Sequence, residues 1–232
     1  MLVIGIDLSG PVNVRDTAVA IFRETTFGLE WIDGFPGETI YQEELTDVKL
    51  LSIIEDCCQK HDGSEPIVIG IDAPLSYNQK GGDRPADKYL RQFITEQGMK
   101  SGSIMAPTFQ RMVYLTLRGI HLSRMIQMYI DQRQLPIRLC EVHPGAALIL
   151  RQYFDVRPNV LDYKKDELAY EKLRSSLTNI GLHDVPYDWF QNISHRLDAC
   201  GAALAAWHWI NGRSMWCYPA DRTQGHLYDV VI

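Results

Sequence analysis

The chain opens with residues 1–10, MLVIGIDLSG, a stretch around which the rest of the sheet is arranged. Leu2, Val3, Ile4 and Ile6 form a nearly unbroken apolar run, the pattern of a strand covered on both faces rather than one half-exposed to water. Asp7 stands at its end, followed by Leu8, Ser9, Gly10 and Pro11, so a central strand delivers a carboxylate to a turn. An acid in such a place is costly unless a cation meets it.

The device recurs at residues 67–74, IVIGIDAP, with Asp72 in the place of Asp7. Both runs contain Ile-Gly-Ile-Asp, and a glycine inside a strand marks close approach by another backbone or helix. Ligands of open α/β sheets bind beyond the carboxyl ends of the strands, so neighbouring placement would put both acids in one crevice. Taken singly, either aspartate is equally a turn residue or a helix cap. Their repeated context favours a shared site.

Between these runs, residues 17–22 and 26–31 predict a hairpin joined by Arg23, Glu24 and Thr25, and Pro36-Gly37 ends that meander. Residues 44–60 carry Leu45, Val48, Leu51, Ile54 and Cys58 at helical spacing, which predicts an amphipathic crossover to a strand parallel to the first. Strand, hairpin, helix, strand is the opening order of a ribonuclease H-like sheet.

Past Asp72 a polar loop leads to Pro85, which suits the first position of a helix. Arg84, Lys88 and Arg91 then fall at successive turns, a basic stripe that is either a phosphate-positioning surface or a solvated helix face. Residues 100–107 predict a flexible lip, 110–134 a long helix, and 137–142, IRLCEV, a strand with Glu141 near its end. Glu141 and His143 share one face of an extended segment, while Cys140 points the other way, so direction argues against a Cys140-His143 nucleophile pair. His143 ranks below Glu141 as a ligand.

A helix over 164–177 is expected, capped by Asp162 and closed by Gly181, with Lys164 and Lys165 as surface charges or a phosphate contact. The stretch 195–211, HRLDACGAALAAWHWIN, has glycine and alanine on nearly every side and predicts a helix lying tight against the sheet, with Ser194 as its cap. Asp198 falls early in it. A buried lone carboxylate there needs a partner, either a divalent ion or Arg196 or His195 bonded to it. A closing strand or tail is expected over 225–232.

At 46% hydrophobic and 22% charged, 232 residues are ample for one large domain, 1–232, with a helical insertion around 84–135. No apolar stretch approaches a membrane span and no signal peptide is visible, so a cytoplasmic protein without membrane contact is expected. The net charge of -6 argues against coating nucleic acid with a broad basic surface, though not against a local groove. Five cysteines without a CxxC pair indicate neither a disulfide framework nor a zinc knuckle.

Four carboxylates, Asp7, Asp72, Glu141 and Asp198, thus stand at strand ends or early in a buried helix, and they cannot stay ionised together without cations. Two Mg²⁺ or Mn²⁺ ions about 4 Å apart, shared by such acids, activate water and stabilise the leaving oxygen of a phosphodiester. The expected fold is an α/β mixed sheet of about five strands with helices on both faces.

In this order, GIDLSG with Asp7, IDAP with Asp72, the following Gly82, Arg84, Asp87 and Arg91, EVHP with Glu141, and LDACGAALAAW with Asp198 resemble the domain of unknown function family 429. That family comprises predicted nucleases of ribonuclease H-like fold. The resemblance implies a metal-dependent nuclease acting on DNA or RNA, the four acids as its catalytic metal ligands, and Arg84, Asp87 and Arg91 as substrate-positioning residues. Two other classes compete with this expectation. One is a phosphotransferase of the actin and sugar-kinase type, short here of a second domain and of a second glycine-rich phosphate hairpin. The other is a scaffold that keeps the fold without catalysis.

Overall fold

The computed structural model describes residues 1–32, 44–60, 65–191 and 193–232. The opening run is strand β1 (Leu2–Asp7), buried along its whole length. It pairs antiparallel with β2 (Ala18–Glu24), which pairs antiparallel with β3 (Leu29–Trp31). Arg23 and Glu24 remain in the ladder opposite Glu30 and Leu29, so the hairpin turn falls later than their polarity implied. The Pro36-Gly37 pair lies outside the described residues.

Helix α1 (Asp47–Lys60) buries Leu50, Ile53, Ile54, Cys57 and Cys58, and leads to β4 (Ile67–Asp72), parallel to β1. The two Ile-Gly-Ile-Asp runs lie in matched register: Gly5 is paired with Gly70 and Asp7 with Asp72. After α2 (Pro85–Glu96) and α3 (Val113–Arg133), β5 (Ile137–Val142) joins β4 in parallel. The chain continues through α4 (Pro144–Leu150), α5 (Glu167–Ser175), β6 (Leu182–His183), α6 (Tyr187–Phe190), α7 (Ser194–Ile210), β7 (Cys217–Tyr218) and β8 (Val230–Val231).

Among the described residues these strands form one mixed sheet of eight in the order β6-β3-β2-β1-β4-β5-β8-β7. The expectation of about five was too low. The additional strands β6, β7 and β8 have two residues each, too short for an alternation of apolar and polar side chains to show. The 164–177 helix is also shorter than expected: Asp166, not Asp162, caps α5 by accepting from the Ala169 amide, and Lys164 and Lys165 are left in the preceding turn.

Alternation along β1 divides the core in two. Leu2, Ile4 and Ile6 join the residues of α1 and α3 on one face, and Val3 joins those of α4, α5 and α7 on the other. Gly5 belongs to the second face. A Cβ placed there would lie 2.0 Å from the Ala199 carbonyl oxygen, and one at Gly70 would lie 2.4 Å from that of Ala202. The strand glycines therefore let the backbone of α7 rest on the sheet, and the alanines of α7 keep its own side from intervening. No helix among the described residues is long and apolar enough to cross a membrane.

Candidate metal centre

Close packing of α7 on Gly5 and Gly70 builds the site. Asp7 and Asp72 each lie two residues beyond their glycine and so project from the face that α7 covers. Asp198 precedes Ala199, whose carbonyl contacts the Gly5 position, and is thereby lowered onto the two strand ends. One carboxylate oxygen from each of Asp7, Asp72 and Asp198 lies within 4.8 Å of the others. At an effective dielectric of about 20, two unit charges at such separations repel by about 3–4 kcal/mol. Three ionised pairs would approach the whole stability of a typical domain, about 5–15 kcal/mol.

The protein relieves this in several ways. Burial, followed by the charge of Asp198, holds the Asp7 carboxyl well above the usual carboxylate range. Burial, followed by the charge of Asp7, does the same to Asp72, and these two side chains share a hydrogen bond. His195 Nδ1 lies 2.5 Å from Asp7 Oδ2. Tyr163 donates its hydroxyl to Asp198 Oδ1, and Lys164 Nζ lies 2.6 Å from Asp198 Oδ2. Burial opposes the charge on Lys164, but Asp198 and Asp72 outweigh it and hold the ammonium above the ordinary lysine range.

Glu141 takes a different course. Its register partner is Ile71 rather than Asp72, and a shift of one residue along a strand reverses the face. It follows Ile137 and Leu139 to the α1/α3 side, while Cys140 and Val142 face α7. Arg84 meets it there, donating from Nη1 to Oε2 at 2.7 Å and from Nη2 to Oε1 at 2.5 Å, and the Leu75 amide donates to Oε2 at 2.8 Å. Glu141 lines the same cleft but is not within the cluster of three acids.

The expected basic stripe is dispersed. Arg84 precedes α2 in an extended conformation and is 2% exposed, clamped between Glu141 and Asp87. Asp87 also accepts from the Arg84 amide at 2.7 Å, closing a cap at the start of α2. Arg91 makes two bonds of 2.7 Å to Asp83, and Lys88 lines a separate depression with Asn78, Tyr89 and Gln92. His143 caps α4, its Nδ1 accepting from the Ala146 amide at 3.1 Å.

The cleft over the acids has a volume of about 500 Å³, and its lining includes Ser9, Asn13, Ile104 and Met105. Its donor set suits a hard divalent ion: three carboxylates converge, and no thiolate shares the cluster. Fully ionised, the three carboxylates would exceed the single charge of Lys164 by two, the charge of one divalent ion. Tyr163, Lys164 and the His195 contact to Asp7 are the site residues that sequence reasoning missed or misassigned. The available signal was Asp166, a better-spaced cap than Asp162, which removes Lys164 from the helix.

This is an α/β protein with a buried acidic centre at the carboxyl ends of its central parallel strands, under a helix of small residues. The chain belongs to the family described as Protein of unknown function (DUF429), whose model matches residues 5–224. No curated protein and no solved structure matches it significantly.

Proposed function

We propose that the protein is a divalent-metal-dependent nuclease of ribonuclease H-like fold, hydrolysing phosphodiester bonds in nucleic acid. The observation that supports this most is the convergence of Asp7, Asp72 and Asp198 within 4.8 Å beyond two parallel strands. The hairpin followed by a helical crossover supports the fold assignment. In this reading the three aspartates hold Mg²⁺ or Mn²⁺. Such an ion, when bound, supplies Lewis acidity and lowers the pKa of water to make a nucleophile.

The chain's own residues prepare that chemistry. His195 holds Oδ2 of Asp7, and Tyr163 fixes the rotation of Asp198. Glu141, with both oxygens bonded to Arg84, acts as a positioning residue that ties the loop after β4 to β5. Arg84 and Asp87 share that role, while Arg91 braces Asp83. Lys88, in its separate depression, is left as an outer contact for substrate phosphate.

Incubation with labelled single-stranded, double-stranded and hybrid oligonucleotides in Mg²⁺ or Mn²⁺ tests the proposal. Wild type should cleave at least one class, and Asp7→Asn and Asp198→Asn should each lose at least 100-fold in rate, on the scale of losing a transition-state stabilising group. Cleavage that survives both substitutions would overturn it.

A further inference from the structure

Lys164 reaches the acidic cluster from outside the core. Its side chain is 52% exposed, yet Nζ touches an aspartate that is only 1% exposed. The turn that bears it is pinned on both sides: Lys100 Nζ lies 2.5 Å from the Asp162 carboxylate, and Tyr163 is bonded to Asp198. Because α5 begins only at Glu167, Lys164 itself has no helical hydrogen bonding to preserve. Its four-carbon stem can swing while its neighbours hold still.

The cluster gives this freedom a use. Tyr163 occupies one oxygen of Asp198 and Lys164 the other, so a cation entering at Oδ2 meets an ammonium of like charge. Among the described residues lining the cleft, the other Lys or Arg is Arg84, which two carboxylates lock in place. Of those two, Lys164 is the one able to move.

We propose that Lys164 is a tethered stand-in for the divalent ion: it neutralises Asp198 in the ion-free protein, leaves Oδ2 as the ion enters, and then holds an anionic oxygen of the substrate. The inference rests on the metal-centre reading above and adds a substrate-positioning residue to it. The exchange keeps a positive charge beside Asp198 in both states and delivers a second to the cleft only once the ion is in place.

Mn²⁺ titration of the full chain, followed by electron paramagnetic resonance, gives the first test. Lys164→Met should bind Mn²⁺ at least tenfold more tightly than wild type, because no ammonium competes, whereas Lys164→Arg should bind no more tightly. In the cleavage assay Lys164→Met should raise KM at least fivefold, so that ion affinity and substrate affinity move in opposite directions. Wild type provides a test independent of any variant: acetylation of Lys164, read by mass spectrometry, should accelerate several-fold on adding Mn²⁺, with Lys165 unchanged as reference. Unaltered or weaker Mn²⁺ binding by Lys164→Met, an unchanged KM, or acetylation insensitive to Mn²⁺ would overturn the inference while leaving the metal centre intact. Failure of wild type to bind Mn²⁺ would remove both.

Discussion

Asp72 is placed differently from its two partners. Asp7 is met by His195, and Asp198 by Tyr163 and Lys164, but the group that Asp72 bonds is another carboxyl. Replacing it with an amide keeps a donor toward Asp7 and removes a group that repels its neighbours whenever it ionises. Asp72→Asn should therefore stabilise the ion-free protein by about 1–2 kcal/mol in urea denaturation, in line with other strained functional positions, while weakening Mn²⁺ binding at least 100-fold. The pH dependence has the same origin. Asp7 and Asp72 have raised pKa values in the folded state, so the native protein binds more protons than the unfolded chain above the ordinary carboxylate pKa of 3.8. Stability from these two groups is complete below that pKa and is lost as pH rises through their folded values. Urea midpoints of the ion-free protein should carry this downward contribution with rising pH, and Asp72→Asn or saturating Mg²⁺ should diminish it. An unchanged profile would contradict the assignment.

At the scale of elements, the approach of α7 to the sheet sets the site. Gly5→Ala would place a methyl 2.0 Å from the Ala199 carbonyl oxygen, a backbone atom in a helix that cannot yield locally. Overpacking of this kind costs about 1–3 kcal/mol or more. It should also lift Asp198 from Asp7, so Mn²⁺ affinity should fall along with stability. Affinity unaltered beside a large stability loss would show that α7 does not position the third acid. This element pair was legible in the sequence, since the strand glycines and the alanine-rich helix each announced close approach. Glu141 was not legible in the same way. Its identity as an acid near a strand end was visible, but its direction depended on pairing with Ile71 instead of Asp72, and register is a tertiary property. The basic stripe failed for a related reason. Helical spacing put Arg84 in line with Lys88 and Arg91, whereas Arg84 lies before the first helical residue and turns inward to two acids.

At the scale of the molecule, the described residues form two hydrophobic cores that share one sheet, and the acidic centre lies on the α7 face of that sheet. The central strands and long helices could be inferred from apolar patterning, but β6, β7 and β8 depend on partners distant in the chain. Since the ion-free centre stores repulsion at the middle of this sheet, occupancy should be felt globally. Mn²⁺ at 100 times its Kd should contribute about 2.7 kcal/mol by mass action, raising Tm by about 5–10 °C for a chain of this size. Chelation should reverse the shift. The most direct measurement is anomalous diffraction from crystals grown with Mn²⁺. A manganese peak coordinated by Asp7, Asp72 and Asp198 is expected, with Lys164 withdrawn from Asp198 and Glu141 still bonded to Arg84. Saturating Mn²⁺ with no peak among those three aspartates, or a peak held elsewhere in the molecule, would contradict the metal-centre reading.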